Sequence, residues 1–242
     1  MAYEPREFWQ RRLSEQFDLR GTGDVGLSLA YNRACYALRL EVLERALRDA
    51  HMTVQGRSVL DVGCGTGFFT GFYLEHGARV LGLDIAPVAI ERLARRHPQA
   101  RFMLADVSEA ALTERFDVVN AFDVLYHITD DARWERALRN LAAVVAPGGL
   151  LLATDTFAAL PGLAAHNQSR PLARYLPLLA ASGLEPGPIY PTHVLLNREL
   201  NALRFLNRLP ALLLYADRAL LALGAGRGDP VVSKLLVARR PA

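Results

Sequence analysis

The sequence predicts a doubly wound α/β fold on a mostly parallel sheet, and three observations predict it. From residue 58 onward, short apolar runs alternate with stretches of helical periodicity. The first run ends in a glycine-rich turn, Asp61-Val62-Gly63-Cys64-Gly65-Thr66-Gly67, that opens a helical stretch. The next two runs also end in aspartate, at Asp84 and Asp106. Strands that are apolar on both faces and alternate with helices are what a parallel sheet covered on both sides requires.

In chain order, the opening MAYEPREFWQRRLSEQF is charged throughout and lacks an uninterrupted apolar core. It is therefore not expected to act as a signal peptide, and a cytoplasmic location is expected. YNRACYALRLEVLERALRDA spaces Leu40, Leu43 and Leu47 on one helical face, so residues 1–54 are expected to form a helical cap before the first strand. SVLDVG reads as that strand and FFTGFYLEHG as a helix stopped by Gly77. ARVLGLD follows as a strand, PVAIERLARRH as a helix with Pro87 in its first turn, and ARFMLAD as a third strand. SEAALTER is expected to be a short helix, for which an N-cap at Asp106 is the alternative to a ligand-binding role. FDVVNAFDVLY reads as the fourth strand, DARWERALRNLAAVVAPGG as a helix closed by Pro147 and Gly148, and LLLATDTF as a buried strand. RPLARYLPLLAASG gives a further helix, and IYPTHVLLN and VVSKLLVAR the last two strands. Between those two lies a Leu-rich helical insertion at about 199–229, too long for a turn, so residues 55–242 form one domain carrying an insertion.

Composition narrows the function classes. A chain of 242 residues is long enough to bury its own core without disulfides or a structural metal. Cys35 and Cys64 form no framework of pairs, so no cysteine-built metal site is expected, and the chain suits a reducing compartment. The net charge of +3 is too small to imply nucleic acid, and the chain has no nucleic-acid-binding module or NPPY signature. Charge is uneven, however: from Asp155 onward ten basic residues face five acidic ones. The most apolar stretch, Leu209 to Gly224, is broken by Asp217 and Arg218 and is too short to span a bilayer, so no stable membrane insertion is expected.

The glycine turn carries the chemistry. Glycines there let the backbone turn tightly and let a ligand approach closely. Phe68 stands where a dinucleotide fingerprint would place its third glycine, so the turn is not that pattern, although an oxidoreductase or a plain tight turn remains open at this level. A carboxylate at Asp84, ending the second strand, can accept both hydroxyls of a ribose. Acids at Asp61, Asp84 and Asp106, all on the carboxyl edge of the sheet, suit a ligand that carries positive charge.

Taken together, VLDVGCGTGFFTGFYLEHGARVLGLDIAP, ADVSE, FDVVNAFDVLYHI and PGGLLLATD resemble the successive motifs of class I S-adenosylmethionine-dependent methyltransferases, over about Val59 to Thr156. The resemblance implies a Rossmann-like seven-stranded, mostly parallel sheet with helices on both faces and the last strand antiparallel. It further implies that Gly63, Cys64, Gly65 and Gly67 pass beneath the methionine part of S-adenosylmethionine and that Asp61 holds its amino end. Asp84 would bind the ribose, Ile85 would pack on the adenine, and Asp106 and Val107 would sit at the adenine edge, with Phe122 closing the site. The implied reaction is methyl transfer to oxygen or nitrogen of a small-molecule acceptor such as a natural product, sugar or lipid-linked glycan. A non-catalytic S-adenosylmethionine-binding protein, an aminopropyltransferase on the same fold and a nucleotide-sugar oxidoreductase are the competing readings.

Methyl transfer needs a nucleophile held close to the methyl, and a base only where the acceptor must lose a proton. His127, beyond the fourth strand, is the candidate general base; a wall-forming imidazole is the alternative. Asp123 and Tyr126 share its loop. For acceptor binding the candidates are Tyr31, Arg33 and Tyr36 on the N-terminal helix, Tyr126, His166 after the fifth strand, and His193 with Asn197 on the penultimate strand. The Leu-rich insertion, interleaved with Arg198, Arg204, Arg208 and Arg218, is expected to pack on the sheet, with a pocket cover, a homodimer face or a membrane surface as its other uses.

Overall fold

A computed structural model describes residues 3–160, 164–196 and 201–242. Seven strands form one sheet: β1 (Ser58–Val62), β2 (Arg79–Asp84), β3 (Arg101–Leu104), β4 (Phe116–Ala121), β5 (Val145–Asp155), β6 (Glu185–Pro191) and β7 (Lys234–Arg239), in the order β3-β2-β1-β4-β5-β7-β6. The pairings from β3 through β5 are parallel, and β7 runs antiparallel to both β5 and β6. The strand order reverses between β1 and β4, which opens a crevice at the carboxyl edge where such sheets take ligands.

The period of two along each strand builds two cores. Leu60, Val62, Leu81, Leu83, Val119 and Leu151 face α6 (Asp131–Ala143) and α7 (Leu172–Ala181), packing on Trp134, Leu138, Leu141, Tyr175 and Leu179. Val59, Val80, Val118, Leu150, Leu152 and Val237 face the other way. They meet Leu43 and Leu47 of α3 (Leu29–Asp49) and Phe69, Phe72 and Tyr73 of α4 (Phe68–Glu75). Burying a Leu- or Phe-sized side chain contributes about 1.5–3 kcal/mol, so the two faces hold most of the folding energy. α5 (Pro87–Arg96) starts at Pro87 and buries Val88, Ala89 and Leu93.

Several expectations are corrected. The N-terminal segment holds more than one helix: α1 (Pro5–Glu15) and a short α2 (Leu19–Thr22) precede α3. SEAALTER is not helical; residues 107–109 form a turn, because the Asp106 carboxylate accepts from both the amide and the hydroxyl of Ser108 and closes the chain locally. α6 stops at Ala143 and β5 begins at Val145, so Pro147 and Gly148 lie within β5, inside the register shift between the pairs Phe116–Val145 and Val118–Leu150. The penultimate strand sits earlier than IYPTHVLLN, at EPGPIYP. Its three prolines are tolerated because β6 is the sheet edge. His193 therefore lies beyond β6, and Asn197 and Arg198 lie outside the described residues. Between β6 and β7 the chain forms a 3-10 stretch (Asn201–Arg208) and α8 (Pro210–Ala222), whose Leu213 packs with Tyr31 and Leu38 of α3.

Candidate active site

A cavity of about 260 Å³ opens at the carboxyl edge of the sheet, walled by the turns that follow β1, β2, β3 and β4. Gly63, Cys64 and Gly65 form its floor. Gly63 has a φ of 64°, and a Cβ there would lie 2.5 Å from Val124 Cγ2. Glycine is thus required twice over, by backbone conformation and by the wall that closes down on it. Gly67 is different: it caps α4 at a φ of 84°, and its missing Cβ makes room for Leu93 Cδ2 at 2.5 Å. It does not line the cavity; it lets α4 and α5 approach each other.

Three strand-end acids converge on this floor. Asp61 is buried, with Oδ2 accepting from Thr70 Oγ1 at 2.6 Å and Oδ1 accepting from Asn120 Nδ2 at 2.8 Å. Burial nevertheless pushes its carboxyl up to about 6, the two hydrogen bonds opposing the shift. Asp84 is also buried and shifted upward by desolvation; it accepts from the amides of Gly65 and Ala86, each at 2.8 Å. Thus Asp84 fixes the glycine turn while presenting its carboxylate to the cavity beside Ile85. Asp106, next to Val107, is ion-paired with Arg133 of α6. Sequence reasoning missed Arg133, since nothing in an amphipathic helix marks the one arginine that turns toward a distant strand end.

The fourth strand supplies Phe122 and Asp123. Asp123 holds a φ of 57°, uncommon for a non-glycine residue, and its amide donates to Thr154 Oγ1 at 2.7 Å. Its carboxylate meets Arg39 Nε of α3 at 2.9 Å, a nearly buried pair. Strained backbone of this kind persists only where its surroundings over-determine it. Four residues on, His127 lines the cavity from a 3-10 turn (Leu125–His127). Its Nδ1 lies 2.9 Å from the His166 carbonyl, so that nitrogen carries the proton and Nε2 is left as an acceptor. Burial pushes this imidazole down to about 4, which keeps it neutral at physiological pH.

The roof comes from the N-terminal helices, where sequence reasoning expected a cap and placed acceptor candidates at Tyr31, Arg33 and Tyr36; of these three only Tyr36 lines the cavity. Tyr3, Glu4, Trp9 and Leu13 line the cavity, as do Thr22 of α2 and Tyr36 of α3. Trp9 sits edge-on to His127, ring centroids 4.9 Å apart, and Phe8 stacks on His166 at 4.7 Å. At the other edge of α1, Gln10 Oε1 accepts from the Val88 amide at 2.9 Å, tying the roof to α5. Tyr36 donates to Thr22 Oγ1 at 2.7 Å. The alternation of Trp9 and Leu13 with charged residues is a readable signal for a packed helix, but not for what it packs on.

Of the expected site residues, Asp61, Gly63, Cys64, Gly65 and Asp84 line the one cavity together with Ile85, Asp106, Val107, Phe122 and His127. Cys64 is buried and its thiol is raised well above the usual range by burial, which makes it a poor nucleophile. The acceptor candidates fare differently. Tyr31 is 1% exposed and packs in the core between α3 and α8; Arg33 is exposed on α3 away from the cavity. Tyr126 and His166 stand behind the wall that His127 forms. His193 is buried beyond β6, with Nδ1 3.0 Å from Thr192 Oγ1. None of these five lines the cavity. Among the described residues that line the cavity, Glu4, Asp61, Asp84, Asp106, Asp123 and Asp130 outnumber His127 and Arg133; with Asp106 paired to Arg133 and Asp123 to Arg39, the lining is still acidic and suits a cation or hydroxyl donors.

Comparison with known proteins agrees with this geometry. Residues 59–149 match a family described as a methyltransferase domain. The chain is 34% identical over 107 residues to the ubiquinone biosynthesis O-methyltransferase of Stutzerimonas stutzeri, a match covering 42% of this chain and 45% of that protein. It is 35% identical over 98 residues to nodulation protein S of Rhizobium tropici, covering 39% and 41%. The matches thus span under half the length of these relatives. Among solved structures it is similar to magnesium protoporphyrin IX methyltransferase from Synechocystis with bound SAH, with a TM-score of 0.65 at 18% identity, covering 97% of each chain. At that identity the likeness establishes the fold.

Proposed function

We propose, from the match of residues 59–149 to a methyltransferase domain family, that the chain binds S-adenosylmethionine in the cavity described above and transfers its methyl group to oxygen or nitrogen of a small-molecule acceptor. The observation that carries the reading is the convergence of Asp61, Gly63, Gly65 and Asp84 on one acidic cavity at the carboxyl edge of the sheet. The residues fit the ligand. Its positive sulfonium and ammonium groups match an acidic lining, its ribose matches a buried carboxylate at the end of β2, and its adenine matches the apolar Ile85 and Val107. S-adenosylmethionine supplies, when bound, an activated methyl on a sulfonium centre.

The chain's own residues do the rest. Thr70 and Asn120 hold Asp61 in one orientation to receive the ammonium end. Asp84 accepts the ribose hydroxyls while its bond from the Gly65 amide keeps the floor in place. Asp106, braced by Arg133, faces the adenine edge. Phe122 and the α1 residues Trp9 and Leu13 exclude water, which strengthens every charge interaction inside. His127, with Nδ1–H held by the His166 carbonyl, offers Nε2 to the acceptor. With its basicity lowered by burial, it orients the nucleophile and takes the proton as the new bond forms rather than beforehand.

The test is release of S-adenosylhomocysteine from S-adenosylmethionine over a panel of small hydroxylated and aminated acceptors, with decarboxylated S-adenosylmethionine in parallel. Turnover with the intact cofactor on an oxygen or nitrogen acceptor is expected. Turnover with the decarboxylated form alone would make the chain an aminopropyltransferase, and binding without turnover on any acceptor would make it a binder.

A further inference from the structure

We propose that Arg39 of α3 and Thr154 of β5 are positioning residues for methyl transfer: together they hold Asp123 in its left-handed turn and so set the place of His127 in the cavity. The proposal rests on the methyltransferase reading and assigns a part in that site to two side chains that do not themselves line the cavity. Among the described residues, three that are not glycine carry a positive φ, His51, Asp123 and Phe157, and of these Asp123 alone lines the cavity. Such a backbone is uncommon outside glycine and persists where neighbouring groups over-determine it. Here those neighbours are Thr154 and Arg39. The Thr154 hydroxyl acts twice: its oxygen accepts from the Asp123 amide at 2.7 Å, and it donates to Asp123 Oδ1 at 3.1 Å. The other carboxylate oxygen, Oδ2, meets Arg39 Nε at 2.9 Å. Both anchors are buried, so relaxation of the turn would leave their polar groups without partners and without ready access to water.

The turn places residues on both sides of it. Before it, Phe122 lies against Phe69, ring centroids 4.6 Å apart, and lines the cavity. After it, Val124 closes on Gly63, and the Val124 carbonyl accepts from the His127 amide at 2.9 Å to start the 3-10 turn. Relaxation at Asp123 would carry Val124 and His127 with it, and with them the contact of His127 Nδ1 with the His166 carbonyl. Arg39 extends the clamp to the roof: its guanidinium lies over the Tyr36 ring, 5.0 Å from the centroid, and Tyr36 lines the cavity. A buried ion pair is a poor device for simply holding α3 on the sheet, since well-packed apolar side chains of similar volume do that as well or better. What the pair and the Thr154 hydroxyl add is one fixed arrangement of the loop. Geometry of that kind matters to a transfer reaction, where a displacement of about 1 Å lowers the rate on the order of a hundredfold.

The experiment records two-bond proton–nitrogen correlations of the histidine rings in the full chain at neutral pH, with the His127 signal assigned from His127→Gln. Wild type is compared with Thr154→Val, which keeps the shape and loses the hydroxyl, with Thr154→Ser, which keeps the hydroxyl and loses the methyl, and with Arg39→Met. A single Nδ1–H tautomer of His127 is expected in wild type and in Thr154→Ser. In Thr154→Val and Arg39→Met that single form is expected to be lost, with the Nε2–H tautomer appearing, while the rings of His51, His76 and His97 keep their signals. Over the acceptor panel, release of S-adenosylhomocysteine by Thr154→Val should fall about tenfold or more relative to Thr154→Ser. Three outcomes overturn the proposal: an unchanged His127 tautomer in Thr154→Val, equal change in Thr154→Val and Thr154→Ser, which would make Thr154 a packing residue, or undiminished turnover in Thr154→Val. The Thr154 pair decides the question even if Arg39→Met fails to fold. The tautomer is read in the free protein and S-adenosylhomocysteine affinity separately by calorimetry, so failure of the clamp and failure of the methyltransferase reading are distinct results.

Discussion

Asp84 shows how much one residue is asked to do: it terminates β2, receives the Gly65 and Ala86 amides, and presents a carboxylate to the cavity. Asp84→Ala should weaken S-adenosylmethionine binding tenfold or more by calorimetry, because a charge-assisted bond and the turn geometry are lost together, about 1.5–3 kcal/mol for the bond alone. Asp61 makes a pH prediction. Its free carboxyl, raised to about 6, is protonated below that pH, whereas a bound ammonium favours the ionised form. Affinity should therefore fall as pH drops through about 6, with close to one proton released per ligand bound at pH 5. Proton release measured in buffers of different ionisation enthalpy checks it, and pH-independent affinity would refute it. His127→Ala should lower kcat by roughly a hundredfold, within the range of lost acid–base assistance, while the dissociation constant for S-adenosylmethionine stays put. A change in cofactor affinity with unaltered kcat would make His127 a wall. At this scale, the glycines and strand-end acids were legible because backbone geometry restricts which residue types can stand there. Tyr31 and His193 were not, because a polar side chain in sequence gives no sign of which way its element faces.

At the scale of elements, strands and helices were legible wherever burial sets the period, as in β1, β2 and the steep apolar face of α5. The misreadings share a cause: local side-chain chemistry or sheet position overrode propensity. Asp106 and Ser108 close a turn in place of a helix, and the prolines of β6 are tolerated at an edge. Helix α1 was overlooked because its mean composition is polar, and its worth lies in Trp9 and Leu13. Trp9→Ala should weaken S-adenosylmethionine binding by roughly three- to tenfold, in line with losing one aromatic contact. It should also expose α1 to proteolysis in the free protein; unchanged affinity would remove α1 from the site. Gly67→Ala tests the junction of α4 and α5. With φ at 84° and Leu93 in the space a Cβ needs, it should lower stability by about 2 kcal/mol or more in denaturant melts.

For the molecule as a whole, the sheet order, the two cores and the cavity form one device. The order β3-β2-β1-β4-β5-β7-β6 opens the crevice between β1 and β4, and the N-terminal helices roof it. The parallel half was legible because βαβ units write themselves as alternating periods. A helical cap was expected, but the part that α1 and α2 play in it was not legible, because it is set by contacts between segments far apart in sequence. The central claim is that the acidic cavity takes S-adenosylmethionine, and calorimetric titration of the full chain with S-adenosylmethionine, S-adenosylhomocysteine and NAD tests it most directly. Micromolar binding of the first two, at one site per chain and with none of NAD, is the predicted result. Binding of NAD, or of none of the three, would contradict it.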